Sequence, residues 1–113
     1  MRVRLRSEVE DSWLDHSVVY TVLCLYSLPN GPAFRLLGAA EPTTPAIHPA
    51  CYFDVVDPTV SPRWVCEIAA DGQSVNLEPA AWTSEGFWER YFEGDPVATR
   101  IFRYELRLLL HQG

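Results

Sequence analysis

Along this chain the spacing of apolar residues changes once, near Ala80. Before that point they alternate with polar residues, or gather in short runs closed by Pro, Gly, Asn or Asp. After it they recur every three or four residues, the period of a helix with one buried face. Strands followed by helices predict an α+β fold: an antiparallel sheet of about five or six strands, with two C-terminal helices packed on one face. At 113 residues the chain suits one domain, residues 1–79 mainly strands and residues 80–113 the two helices. A domain of this size buries roughly 65% of its unfolded surface, enough for a core without staples.

Val3, Leu5 and Val9 alternate with Arg2, Arg4, Arg6 and Glu8, which predicts an opening strand with one wet, mostly basic face. "VVYTVLCLYSL", Val18 to Leu28, is apolar on both faces and reads as a central strand ending at the turn "PNGP". "AFRLLGAA" follows closely enough to complete a hairpin. "EPTTPAIHPA", Glu41 to Ala50, carries three prolines and is expected to be a partly extended loop, the kind of segment in which function often sits. "CYFDVVD", "WVCEIAA" and "VNLEP" read as further strands. Cys24, Cys51 and Cys66 each lie in an apolar strand-like run and are expected to be buried free thiols.

In "WTSEGFWERYFEGDP", Thr83 or Ser84 is the expected cap of a helix running to Glu93, with Gly94 as its left-handed stop. Asp95 then caps a second helix that has Pro96 in its first turn. Phe87, Trp88, Tyr91 and Phe92 share one arc of the first helix, and Glu85, Glu89 and Glu93 line the other. The aromatic arc is either core or a patch for a partner. The acidic row is either simply solvated or complementary to a basic partner. In the second helix Arg100, Arg103 and Arg107 form a narrow polar stripe beside a broad apolar arc, into which Glu105 intrudes. That carboxylate is either paired with an Arg from the sheet or held in a pocket with raised pKa.

Nine basic residues, all Arg, against fifteen acidic ones give a net charge of −6. That charge repels nucleic acid and favours a basic protein. No segment approaches the length needed to cross a bilayer and the start lacks a secretory apolar run, so a cytoplasmic location is expected. His48 and Cys51 form "HPAC", with Cys66 further on, but no C-x-x-C pair or regularly spaced fourth ligand accompanies them. Neither a metal, a cofactor nor a catalytic residue is therefore expected.

A short, acidic α+β chain with the tail "GFWERYFEGDP" resembles, in overall character, the small immunity proteins that bacteria encode beside secreted toxins. The resemblance implies a non-enzymatic protein that binds and blocks one toxin, here a basic toxin domain, through an acidic and aromatic surface. The candidate partner-binding residues are Glu85, Glu89, Glu93, Asp95 and His48 of the 41–50 loop. The alternatives are a small enzyme or ligand-binding module with a pocket around Glu105, Tyr104 and Trp64, or a homodimeric structural module. The chain is accordingly expected to be a monomer or a homodimer.

Overall fold

The computed structural model describes residues 1–40 and 43–112. They form eight strands in two antiparallel sheets, followed by two helices. The α+β architecture is as the sequence predicts, but the strands divide between two sheets. Strands β1 (Arg2–Leu5), β2 (Val19–Thr21) and β6 (Phe53–Asp57) make a sheet of order β2-β1-β6. Strands β3 (Cys24–Leu28), β4 (Gly31–Leu37), β5 (Pro45–Pro49), β7 (Trp64–Ile68) and β8 (Val75–Pro79) make the other, of order β5-β4-β3-β8-β7. Helices α1 (Phe87–Phe92) and α2 (Pro96–Gln112) complete the chain.

The apolar run Val18 to Leu28 is not one strand, because the chain changes sheets within it. The Val22 N–H donates to Met1 O at 2.9 Å, and the next residue, Leu23, donates to Arg35 O at 2.8 Å. Neighbouring residues thus hydrogen-bond to different sheets, and both are fully buried. Such a crossing is covered on both sides, which in sequence looks the same as a central strand. The opening strand also stops early, at Leu5. Val9 lies in a following turn and is only partly buried against the core.

The expected hairpin of β3 and β4 forms, with Cys24 opposite Arg35 and Leu28 opposite Gly31, so that its turn is Pro29 and Asn30 alone and β4 begins at Gly31 rather than Ala33. Ala33, Phe34, Arg35 and Leu36 are all buried, so β4 is covered on both faces. Phe34 and His48 share one face of the five-stranded sheet and contact Phe53 of the three-stranded sheet, at ring separations of 5.9 and 6.4 Å. Cys24, Tyr26, Arg35 and Glu78 lie on the opposite face, against α1.

The expected proline loop is corrected: Pro45 to Pro49 is strand β5, paired along its length with β4. Pro45 and Pro49 fit because β5 is an edge strand, where a missing N–H can face outward and the open edge is blunted. Glu41 and Pro42, which begin the predicted loop, lie outside the described residues. The thiols also divide: all three cysteines are free, but only Cys24 is buried, while Cys51 and Cys66 are exposed. Cys51 sits in a short 3-10 turn and Cys66 on the edge strand β7, where apolar neighbours in sequence do not imply cover. Among the described residues no helix is long and apolar enough to cross a membrane.

Gly38 is fixed by close approach. A Cβ there would lie 2.7 Å from the backbone oxygen of Trp13, which also accepts from the Ala40 N–H. Gly38→Ala is expected to cost about 1–3 kcal/mol, since backbone has to shift to admit the methyl group. Urea denaturation checks this, and an unchanged midpoint would remove the constraint.

Candidate functional site

Helix α1 begins later than its expected caps. Thr83 Oγ1 donates to Ala80 O at 2.8 Å and so closes the 3-10 turn Ala80–Trp82. Gly86, in a left-handed conformation, stands at the N-cap instead. Gly94, at φ +84°, follows the helix end as the sequence predicts. Asp95 caps α2 as expected, its Oδ2 accepting from the Ala98 N–H at 2.9 Å. That oxygen serves the helix end, so Asp95 is a less open anion than a partner-binding role assumes.

The aromatic run separates by depth. Trp82 and Phe87 are fully buried, and Trp82 stacks on Phe102 of α2 at 4.9 Å. Trp88 lies over the guanidinium of Arg35, whose Cζ is 3.8 Å from the ring centroid. A desolvated contact of this kind contributes about 2 kcal/mol. Arg35 also donates to Tyr26 Oη at 2.9 Å and to Pro45 O at 2.6 Å, so one buried cation joins β3, β4, β5 and α1. Tyr91 is half-buried and donates to Thr43 O at 3.0 Å. Phe92, expected on the same arc, is instead 52% exposed. The helix is only six residues long, and Phe92 is its last residue.

Beside Phe92, the side chains of Glu85, Glu89 and Glu93 are all exposed, and among the described residues none forms an ion pair with a basic side chain. The nearby Arg90 donates to the backbone oxygen of Glu85 and to Ser84 Oγ. Glu85 precedes left-handed Gly86 and so stands outside α1, off the helix face expected for it; Glu89 and Glu93 neighbour Phe92 at the helix end, and all three are open carboxylates.

His48 is placed differently from its expected role. It is buried on β5 between Trp13 and Phe53, and its Nε2 has no hydrogen-bond partner. Burial holds the imidazole below its ordinary value of 6.5, against an upward pull from the Asp11 carboxylate. The alternation along β5 turns His48 inward while Ile47 faces out, which the loop reading could not reveal.

Of the proposed pocket residues, two are buried and one is exposed. Glu105 is 4% exposed and accepts two hydrogen bonds from Arg63, from Nε and Nη2, both at 2.8 Å. This is the Arg pairing that the sequence left open. Tyr104 is 63% exposed on the outer side of α2. Trp64 is buried and donates from Nε1 to Leu23 O at 2.8 Å. Paired Glu105 is spent on holding α2 to the loop before β7.

The buried polar group on the helix-covered sheet face escaped the sequence reading altogether. Glu78 sits there with its carboxyl pushed up by burial, while the Tyr26 hydroxyl and the Arg35 guanidinium draw it back down. Burial pushes the Cys24 thiol up to about 12, which leaves it protonated and unreactive at neutral pH. The available signal was Arg35 itself, a charge at the centre of an otherwise apolar strand. Among the described residues no group of three His, Cys, Asp or Glu side chains comes together closely enough to hold a metal ion. The chain matches no protein-family model, and no curated protein or solved structure matches it.

Two outcomes follow. The unfolded chain protonates His48 before the folded one does, so this contribution is complete above about pH 6.5 and is lost as pH falls through the lowered folded value. His48→Leu should flatten that part of the acid limb when urea midpoints are compared at about pH 7.5 and 5.5, and equal slopes would refute the assignment. Arg63→Met should destabilise more than Glu105→Gln, because it leaves a buried carboxylate without a partner. The reverse order of urea midpoints would show that the pair is not what holds the helix.

Proposed function

We propose that the protein is a non-enzymatic protein-binding module, of the bacterial immunity type, which neutralises a basic toxin domain. The observation that carries this reading is the open row Glu85, Glu89 and Glu93 beside exposed Phe92. Carboxylates without internal partners steer a cationic surface inward, and an exposed aromatic ring supplies an apolar anchor once contact is made. The net charge of −6 extends the same attraction over the whole molecule. Immunity proteins act inside the cell that makes the toxin, so this reading includes a cytoplasmic site of action.

A titration calorimeter tests it, with the purified product of the adjacent gene as titrant. One-to-one binding is expected, weakened about tenfold or more by the triple reversal Glu85→Lys, Glu89→Lys, Glu93→Lys. Unchanged affinity of the reversed protein at physiological salt would exclude the acidic row. Absence of binding by the neighbouring product would count against the immunity reading.

A homodimeric module is the second reading, favoured by the state of the sheet edges. Strand β5 is blunted by prolines, whereas β7 has none and leaves Val65, Cys66, Glu67 and Ile68 exposed. An open edge of this kind pairs readily with a second strand. Sedimentation that finds only monomer would dispose of it.

A further inference from the structure

Helix α2 has three faces rather than two. At about 100° per residue, Ala98, Phe102, Glu105 and Leu109 share one side, and all four are buried. Arg100, Arg103 and Arg107 lie opposite and are exposed. Between them runs Val97, Ile101, Tyr104 and Leu108, spaced four, three and four residues apart. Val97 is 57% and Ile101 38% exposed, and Leu108 is partly so. This is the spacing of an a/d seam, a row that is normally closed by a second helix laid alongside. A shallow hollow of about 340 Å³ between Ala81 and this row deepens the seam.

The arginines decide what fits. Among the described residues the ion pairs engage Arg2, Arg6 and Arg63, and none engages Arg100, Arg103 or Arg107. In a chain with fifteen acidic residues to nine basic ones, three arginines on one helix have no carboxylate partner among the described residues. They border the seam on its solvent side, and the other border is the domain body. Two copies meeting through this seam would bring arginines toward arginines, which opposes self-association. The overall negative charge is screened beyond about 8–10 Å, so the local guanidinium groups dominate at contact.

We propose that this face of α2 is a docking seat for an acidic amphipathic helix of a partner protein, its apolar row on Val97, Ile101 and Tyr104 and its carboxylates on Arg100, Arg103 and Arg107. It is a second surface, opposite in charge to the glutamate row and independent of it. Bidentate guanidinium–carboxylate pairing would fix the register of the incoming helix, and the apolar seam would supply affinity.

The test uses the full chain and two synthetic helical peptides of about 21 residues, six turns, with Leu along the seam and either Glu or Lys along the flanks. Fluorescence anisotropy should show the Glu peptide binding about tenfold or more tighter than the Lys peptide, a preference that salt weakens. Arg100→Glu, Arg103→Glu, Arg107→Glu should abolish the preference, and Ile101→Ser with Tyr104→Ser should abolish binding. Circular dichroism should confirm that these surface variants remain folded. The glutamate-row reversal Glu85→Lys, Glu89→Lys, Glu93→Lys should leave Glu-peptide binding in place, so failure of one surface is distinguishable from failure of the other. Equal binding of the two peptides, or binding indifferent to the arginine reversal, would overturn the proposal. So would arginine-dependent pelleting with phosphatidylglycerol-containing vesicles, which would assign the face to a membrane surface. A dimer dissolved by the Ile101 and Tyr104 changes would equally overturn it, in favour of a second copy.

Discussion

The fold turns on one buried cation. Removing a guanidinium from water costs several kcal/mol, and Arg35 offsets this with hydrogen bonds to Tyr26 Oη and Pro45 O and with the face of Trp88. Each of these partners comes from a different element. The contacts that satisfy the charge therefore also fix the order of β3, β4 and β5 and seat α1 upon them. A hydrophobic residue at position 35 would fill the space but would specify none of those directions. Glu78, on β8, brings an opposite charge to the same face and extends the arrangement across the sheet.

From that anchor the two helices acquire different tasks. Helix α1 is short, and it spends Phe87 and Trp88 on the sheet while Glu89 and Phe92 on it, with Glu85 before it and Glu93 at its end, remain at the surface. Helix α2 is held along its buried side by Phe102 against Trp82 and by Glu105 against Arg63. Its apolar arc is wider than the surface available to cover it. The surplus lies beside three arginines that form no ion pair among the described residues, and the two together make a second charged surface. An acidic face and a basic face thus arise from neighbouring helices because each buries only one side.

Much of the fold was legible in the sequence because its signals are local. The change of period near Ala80, the β3–β4 hairpin, the left-handed Gly94 and the Asp95 cap all depend on residues close together in the chain. The sheet crossing at Val22 and Leu23 was hidden, since burial on both faces has one appearance whether it comes from helices or from a second sheet. Strand β5 was hidden for a related reason: prolines exclude a central strand, but they are compatible with an edge, and only the topology says which strand is at the edge. Of the candidate site, the exposure of the three glutamates was legible, but the place of Glu85 before left-handed Gly86, off the helix face, was not. The inward turn of His48 and the exposure of Phe92 were not.

The sequence by itself determined the class of fold, the alternation of apolar and polar positions, and the presence of a charge in need of a partner at Glu105; Arg35 carried the same signal unread. The partners of those charges lie far away in the chain, Arg63 for Glu105 and Trp88 for Arg35, and no local pattern encodes them. Tertiary structure alone decided which apolar positions were covered. Burial depends on how much surface neighbouring elements can supply, and periodicity records only which side of an element is apolar.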